Sequence, residues 1–330
     1  MTRPLRIGLV LLTGLIAAML VSLAVGAVAI PLSVIVNTLL DLDGPQQDFI
    51  INRSRLPRTL LAVVTGASLA MSGAIIQALL RNPLASPKII GINSGAALAV
   101  LLSVVLAGGV PLGFLPAVAA LGGVAAAAII YILAEVRPVS PARLALVGIA
   151  VGFTADAGVD FILVTADTYD ISAPLVWLTG SLWSRGWSHL GAVAPLLICL
   201  MGVCLLLSYR LDIIRLGSAQ ATGLGMHVRR ARLVLLTLAT LLAAVSVSVV
   251  GVLGFVGLMA PHIARLLVGG AHRTLLPVAL LVGALLVVIA DAAGRALVPG
   301  IEISAGILTA IFGAPFFVFL LLTREIEARS

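Results

Sequence analysis

The chain has 330 residues, of which 61% are hydrophobic and 10% charged, with a formal net charge of +7. Its mean hydropathy is +1.23. A soluble domain carries about 25% charged residues, so most of this surface faces something other than water and a soluble enzyme is excluded. The positive balance does not indicate nucleic acid, because the basic residues are spread among loops instead of forming one patch.

A helix needs about 20 mostly apolar residues to cross the hydrocarbon. In chain order, nine segments meet this condition: 5–30, 59–80, 89–107, 112–134, 142–165, 190–209, 233–250, 275–298 and 303–323. The first is read as a span and not as a leader, since its apolar run exceeds the roughly 7–15 residues of a signal-peptide core. A tenth segment, 252–268, is shorter and holds Pro261, His262 and Arg265, which predicts a short helix packed inside the bundle. The expectation is an all-α membrane protein of about ten transmembrane helices, one domain spanning 1–330, with a long polar loop at 210–232. Cys199 and Cys204 fall five apart in one span and read as buried thiols.

Cytoplasmic loops are enriched in Lys and Arg. With the N-terminus inside and ten alternating segments, fifteen of the twenty basic residues fall on the cytoplasmic side, Lys88 among them, and both termini are inside. The five outside are Arg53, Arg55, Arg58, Arg185 and Arg295. Three of these crowd into 53–58, at the mouth of the second span, where Pro57 suits the first turn of a helix. Two readings stand: contact with lipid phosphates, or reception of an acidic partner.

The fifth span carries Gly148, Gly152, Asp156 and Asp160 at i, i+4 steps. Small residues at that spacing let helices approach closely. A charge at mid-bilayer is costly and faces protein or a cavity, so the aspartates either bond within the bundle or line a solute path. Gln77 and Asn93 are further candidates for that path. Asp291 and Arg295, four apart, suit an intrahelical ion pair. Gly66, Ala70 and Ala74 form a packing stripe. His262 lacks a second ligand at metal spacing, so no metal site is expected.

The single lysine, Lys88, precedes Ile89, which rules out a GxxxxGK[ST] phosphate loop in this chain. No nucleophile–base pair stands out either. The chain reads as a non-enzyme with no cofactor of its own, and any ATP-driven step falls to another polypeptide. The loop from Arg215 through Leu216, Gly217, Ser218, Ala219, Ala221, Gly223, Leu224 and Gly225 to Arg229 and Arg230 is rich in Gly and Ala. It suits either a short helix docked closely on a partner or a helix lying in the headgroups.

These residues carry a resemblance. Arg55-Leu56-Pro57-Arg58, the run Gly66–Ala74, Arg81-Asn82-Pro83-Leu84-Ala85-Ser86-Pro87, Gly91-Ile92-Asn93-Ser94-Gly95-Ala96, Pro261-His262-Ile263-Ala264-Arg265 and Gly313-Ala314-Pro315 are together similar to the FecCD family of permeases in iron–siderophore and cobalamin importers. Trp177–Trp183, with Asp160 upstream, resembles the ferric dicitrate branch. The resemblance implies a BtuC-like, type II ABC importer permease fold that works by alternating access. It implies a second permease subunit, identical or not, two ATPase subunits holding ATP and Mg, an extracytoplasmic solute-binding protein and surrounding lipid of the cell membrane. It assigns Arg55, Arg58 and Arg295 to docking of the binding protein and 215–232, within the cytoplasmic loop 210–232, to coupling with the ATPase. Cobalamin or haem import is the alternative within this architecture. An ion-coupled secondary transporter using Asp156 and Asp160 is the alternative outside it.

Overall fold

The computed structural model describes residues 3–26, 28–40, 45–107, 110–111, 114–135, 141–165, 176–298 and 300–329. Leu112, the expected start of the fourth span, and Arg137, one of the fifteen basic residues counted on the cytoplasmic side, lie outside them. Among the described residues the regular structure is all helical, with main helices α1 (Arg3–Ala24), α2 (Leu32–Leu39), α3 (Leu56–Leu80), α4 (Ile92–Ala107), α5 (Leu115–Glu135), α6 (Pro141–Thr165), α7 (Trp187–Leu206), α8 (Ser208–Arg215), α9 (Ser218–Gly223), α10 (Val228–Val250), α11 (Val256–Val268), α12 (His272–Ala296) and α13 (Ala305–Arg329). Each of the ten predicted segments overlaps one of the longer helices. Six are long and apolar enough to cross a membrane, and α4, α5, α11 and α13 contribute shorter apolar stretches.

Helix α3 is the centre of the bundle. Its apolar window is 83% buried, against 17% for α1, and it packs on α12, α10, α11 and α7. The contacts are close because the facing residues are small. A methyl group on Gly66 would overlap the Gly283 carbonyl, and one on Gly73 would overlap the Gly257 carbonyl. With lipid as apolar as leucine, such close backbone approach replaces hydrophobic burial as the packing force. Large apolar side chains such as Leu9, Ile16, Ile198 and Leu206 stay exposed on the rim, as a lipid-facing surface requires.

The structure refines several expectations. The second span does not begin at Pro57: a helical turn (Pro45–Asp48) and a π-helical stretch (Phe49–Arg55) run straight into α3. Pro57 has no N–H to give and its ring crowds the carbonyl four residues back, so a wider turn before it is the accommodating geometry. The short tenth segment is indeed internal, with Val256–His262 buried, and follows non-helical backbone at 251–254. Cys204 is buried but Cys199 is exposed, because a five-residue step on a helix turns the side chain through about 500°, far off the first one's face.

Candidate functional site

One end of the bundle is a charge cluster. Helix α1 stops at Ala24 and leaves its last carbonyls without helical partners. Two arginines from elsewhere take them. Arg55 donates to Leu23 O (2.6 Å), Ala24 O (3.1 Å) and Val28 O (2.5 Å). Arg295 donates to Ser22 O (3.0 Å), Ser22 Oγ (2.7 Å) and Val25 O (3.0 Å). Cations at a helix C-terminus also meet the negative end of its dipole. Gly26 sits where the Arg55 guanidinium passes, and a Cβ there would lie 2.8 Å from Nη2.

Asp291 joins this cluster from α12. Its carboxylate meets Arg295 Nε at 3.2 Å, the predicted i, i+4 pair, and also Arg58 Nη2 at 2.9 Å and Nε at 3.0 Å. One carboxylate, its side chain 1% exposed, therefore serves two guanidiniums. Arg58 reaches further, to Glu302 Oε2 at 2.8 Å, whose side chain is 41% exposed. The expectation of three outward-facing cations thus meets a different geometry. Arg55 and Arg295 are buried and turned inward, and Arg58 alone touches a surface group. The exposed arginine is Arg53, beside Asp48 at 3.6 Å. The sequence signalled Asp291 through its spacing to Arg295; nothing in it pointed to Glu302.

The opposite end carries the Gly/Ala-rich loop, about 35 Å away along α12 at ~1.5 Å per residue. Here the loop folds as α8 and α9. Asp212 accepts the His272 backbone N–H at 2.7 Å, capping α12, and meets His272 Nδ1 at 2.7 Å. Arg215 donates to Gly270 O (2.9 Å), Arg81 to Ile214 O (3.1 Å) and Arg232 to Ser218 Oγ (3.2 Å). Gly217, at φ +121°, makes the turn into α9. The loop is pinned to the bundle, yet its outer face is bare. Arg215, Leu216, Ser218, Ala219, Gly223, Leu224, Gly225, Arg229 and Arg230 are all exposed. Ala221 is the inward anchor, fully buried.

The family model for the FecCD transport family matches residues 14–323. The chain belongs to the FecCD transport family. It is 42% identical to the Fe(3+)-citrate import system permease protein YfmE of Bacillus subtilis, over 99% of this chain and 97% of that one. It is 40% identical to the Fe(3+) dicitrate transport system permease protein FecD of Escherichia coli, over 84% and 87%. It is 39% identical to the hemin transport system permease protein HmuU of Yersinia pestis, over 84% of each. Among solved structures it resembles a metal-chelate type ABC transporter in an inward-facing conformation, with TM-score 0.86 and 31% identity, over 96% of this chain and 99% of that one.

In this FecCD permease the path candidates separate. Gln77 is buried, donates to Leu258 O at 3.3 Å and accepts from Arg265 at 3.4 Å. It borders a cavity of about 340 Å³ with Arg81, Arg215 and His272 at the α9 end. Asp156 borders a second cavity, of about 420 Å³. Asp160 is exposed, and Asn93 is buried and lines neither cavity. The small-residue stripe on α6 explains the divergence. Gly148 packs on Ile90, and Gly152 on Gly91. Each i, i+4 step turns about 40° further round the helix, which carries Asp156 and Asp160 off the packed face. They share the open face with Phe153 and Phe161, 71% and 70% exposed.

Proposed function

We propose that this FecCD permease forms half of the channel of an ATP-binding-cassette importer that carries a ferric chelate, ferric citrate first, across the cell membrane by alternating access. The observation that carries this reading is the contrast between the ends: a helix with bare Gly, Ala and Ser at one, a locked arginine–carboxylate frame at the other. Short side chains on α9 suit a partner that must approach the backbone closely, and that partner is the ATPase subunit that holds ATP and Mg. The excess of basic residues assigns the α9 end and both termini to the cytoplasm. The exposed carboxylates on α6 belong against a second permease subunit and the aqueous path between the two, because lipid would not accept them.

At the outer end an acidic solute-binding protein docks through Arg58, whose Glu302 partner is half exposed and exchangeable. Arg55 and Arg295 hold the frame that aims it. The chelate class follows the two ferric citrate relatives.

The reading is tested by reconstituting the permease with its ATPase and binding protein in liposomes. Uptake of labelled ferric citrate is expected to require ATP and the binding protein. Uptake that follows a proton or sodium gradient without ATP contradicts the importer and supports the secondary-transporter alternative. Uptake of cobalamin or hemin in preference to ferric citrate contradicts the substrate.

A further inference from the structure

The segment between α3 and α4 does not stay at the end of the bundle where Arg81 bonds Ile214. It climbs back until Gly91 rests on Gly152, so close that a Cβ on Gly91 would lie 2.7 Å from the Gly152 Cα. Gly152 is near the middle of α6, roughly 16–20 Å from either end at 1.5 Å per residue. Lys88, the chain's one lysine, sits three residues before Gly91 and is exposed. It lines the cavity of about 420 Å³ together with Ser86, Gly152, Phe153, Asp156 and Phe255. The charge count assigns it to a cytoplasmic loop; the structure sets it beside the middle of α6, a helix long and apolar enough to cross a membrane.

Two opposite charges therefore face one cavity at membrane depth without meeting. Among the described residues no carboxylate lies within ion-pair distance of Lys88, and Asp156 likewise has no hydrogen-bond or ion-pair partner. An ammonium at this depth is not stable against lipid, so it opens on water, on the partner subunit or on cargo. Its three N–H donors suit carboxylate oxygens.

We propose that Lys88 is a contact for an anionic, carboxylate-bearing chelate on its way through the channel, with Asp156 across the cavity keeping that contact weak enough to release. The proposal rests on the importer reading and adds that the channel itself, and not only the binding protein, is matched to cargo charge.

The test uses the reconstituted importer at saturating binding protein, with labelled ferric citrate. In Lys88→Gln, uptake turnover is expected to fall about two- to fivefold, the scale of one partly wet charge contact. Half-saturation for loaded binding protein stays unchanged, and Lys88→Arg recovers most of the rate. The double variant Lys88→Gln/Asp156→Asn stays as slow as the single one. Wild-type turnover in Lys88→Gln overturns the proposal. So does recovery in the double variant, which would reduce Lys88 to a counter-charge for Asp156. A wild-type complex that hydrolyses ATP but moves no ferric citrate overturns the importer reading, and this inference with it.

Discussion

The two ends of this permease use arginine in opposite ways. At the end holding Arg55, Arg58 and Arg295, guanidiniums turn inward and are consumed by the α1 carbonyls and by Asp291. At the α9 end, Arg81 and Arg215 spend single bonds on backbone carbonyls to fasten a loop whose outer surface stays uncovered. A cluster of cations in a sequence is therefore no measure of how much charge is presented. What is presented depends on which partners the fold brings within reach.

The sharpest way to break the comparison is at Asp291. Asp291→Ala removes the carboxylate shared by Arg58 and Arg295, leaving Arg58 only Glu302 and Arg295 only uncharged oxygens, and removing one partner of a buried pair costs about 3–5 kcal/mol. The variant is expected to lose most of its thermal stability in detergent; a loss below about 1 kcal/mol would mean that the cluster is solvated and that the arginines are available after all. Next in size is Gly223→Trp. A Cβ at Gly223 meets nothing within 4 Å, so stability should stay within about 0.5 kcal/mol, as for an ordinary surface change. Affinity for the ATPase should nevertheless drop at least about tenfold, roughly 1.4 kcal/mol, in a pull-down with purified subunits. Unchanged recovery of the ATPase would remove the coupling role from this face. Ala221 is the wrong position for that experiment, because its burial would mix misfolding with loss of contact. The smallest effect belongs to Glu302→Gln. Its half-exposed pair with Arg58 is worth less than about 1 kcal/mol, so the fold should barely respond. Binding-protein affinity is expected to rise as Arg58 is released, and a fall would reverse the assigned exchange.

Ten helical segments were legible because lipid imposes a length and a composition that few other environments do. The short α11 was legible for the complementary reason, since Pro261, His262 and Arg265 have no place on a lipid-facing span. The direction of side chains was not legible. Whether Arg55 points out or in depends on where α1 ends, thirty residues away, and hydropathy carries no such information. That Lys88 would lie beside the middle of α6 was not legible, because a re-entrant stretch and a surface loop have the same polar composition. Asp156 and Asp160 were read as continuing a glycine stripe, and the drift of a 3.6-residue helix against a four-residue step took them elsewhere.

The arrangement of the ends in opposite compartments is tested most directly by cysteine labelling. In a background with Cys199 and Cys204 replaced by alanine, single variants Arg53→Cys and Gly223→Cys are exposed to a membrane-impermeant maleimide on intact spheroplasts. Arg53→Cys should label at once, and Gly223→Cys only after permeabilisation. Labelling of both before permeabilisation, or of neither, would contradict an importer with its docking frame outside and its motor contact within.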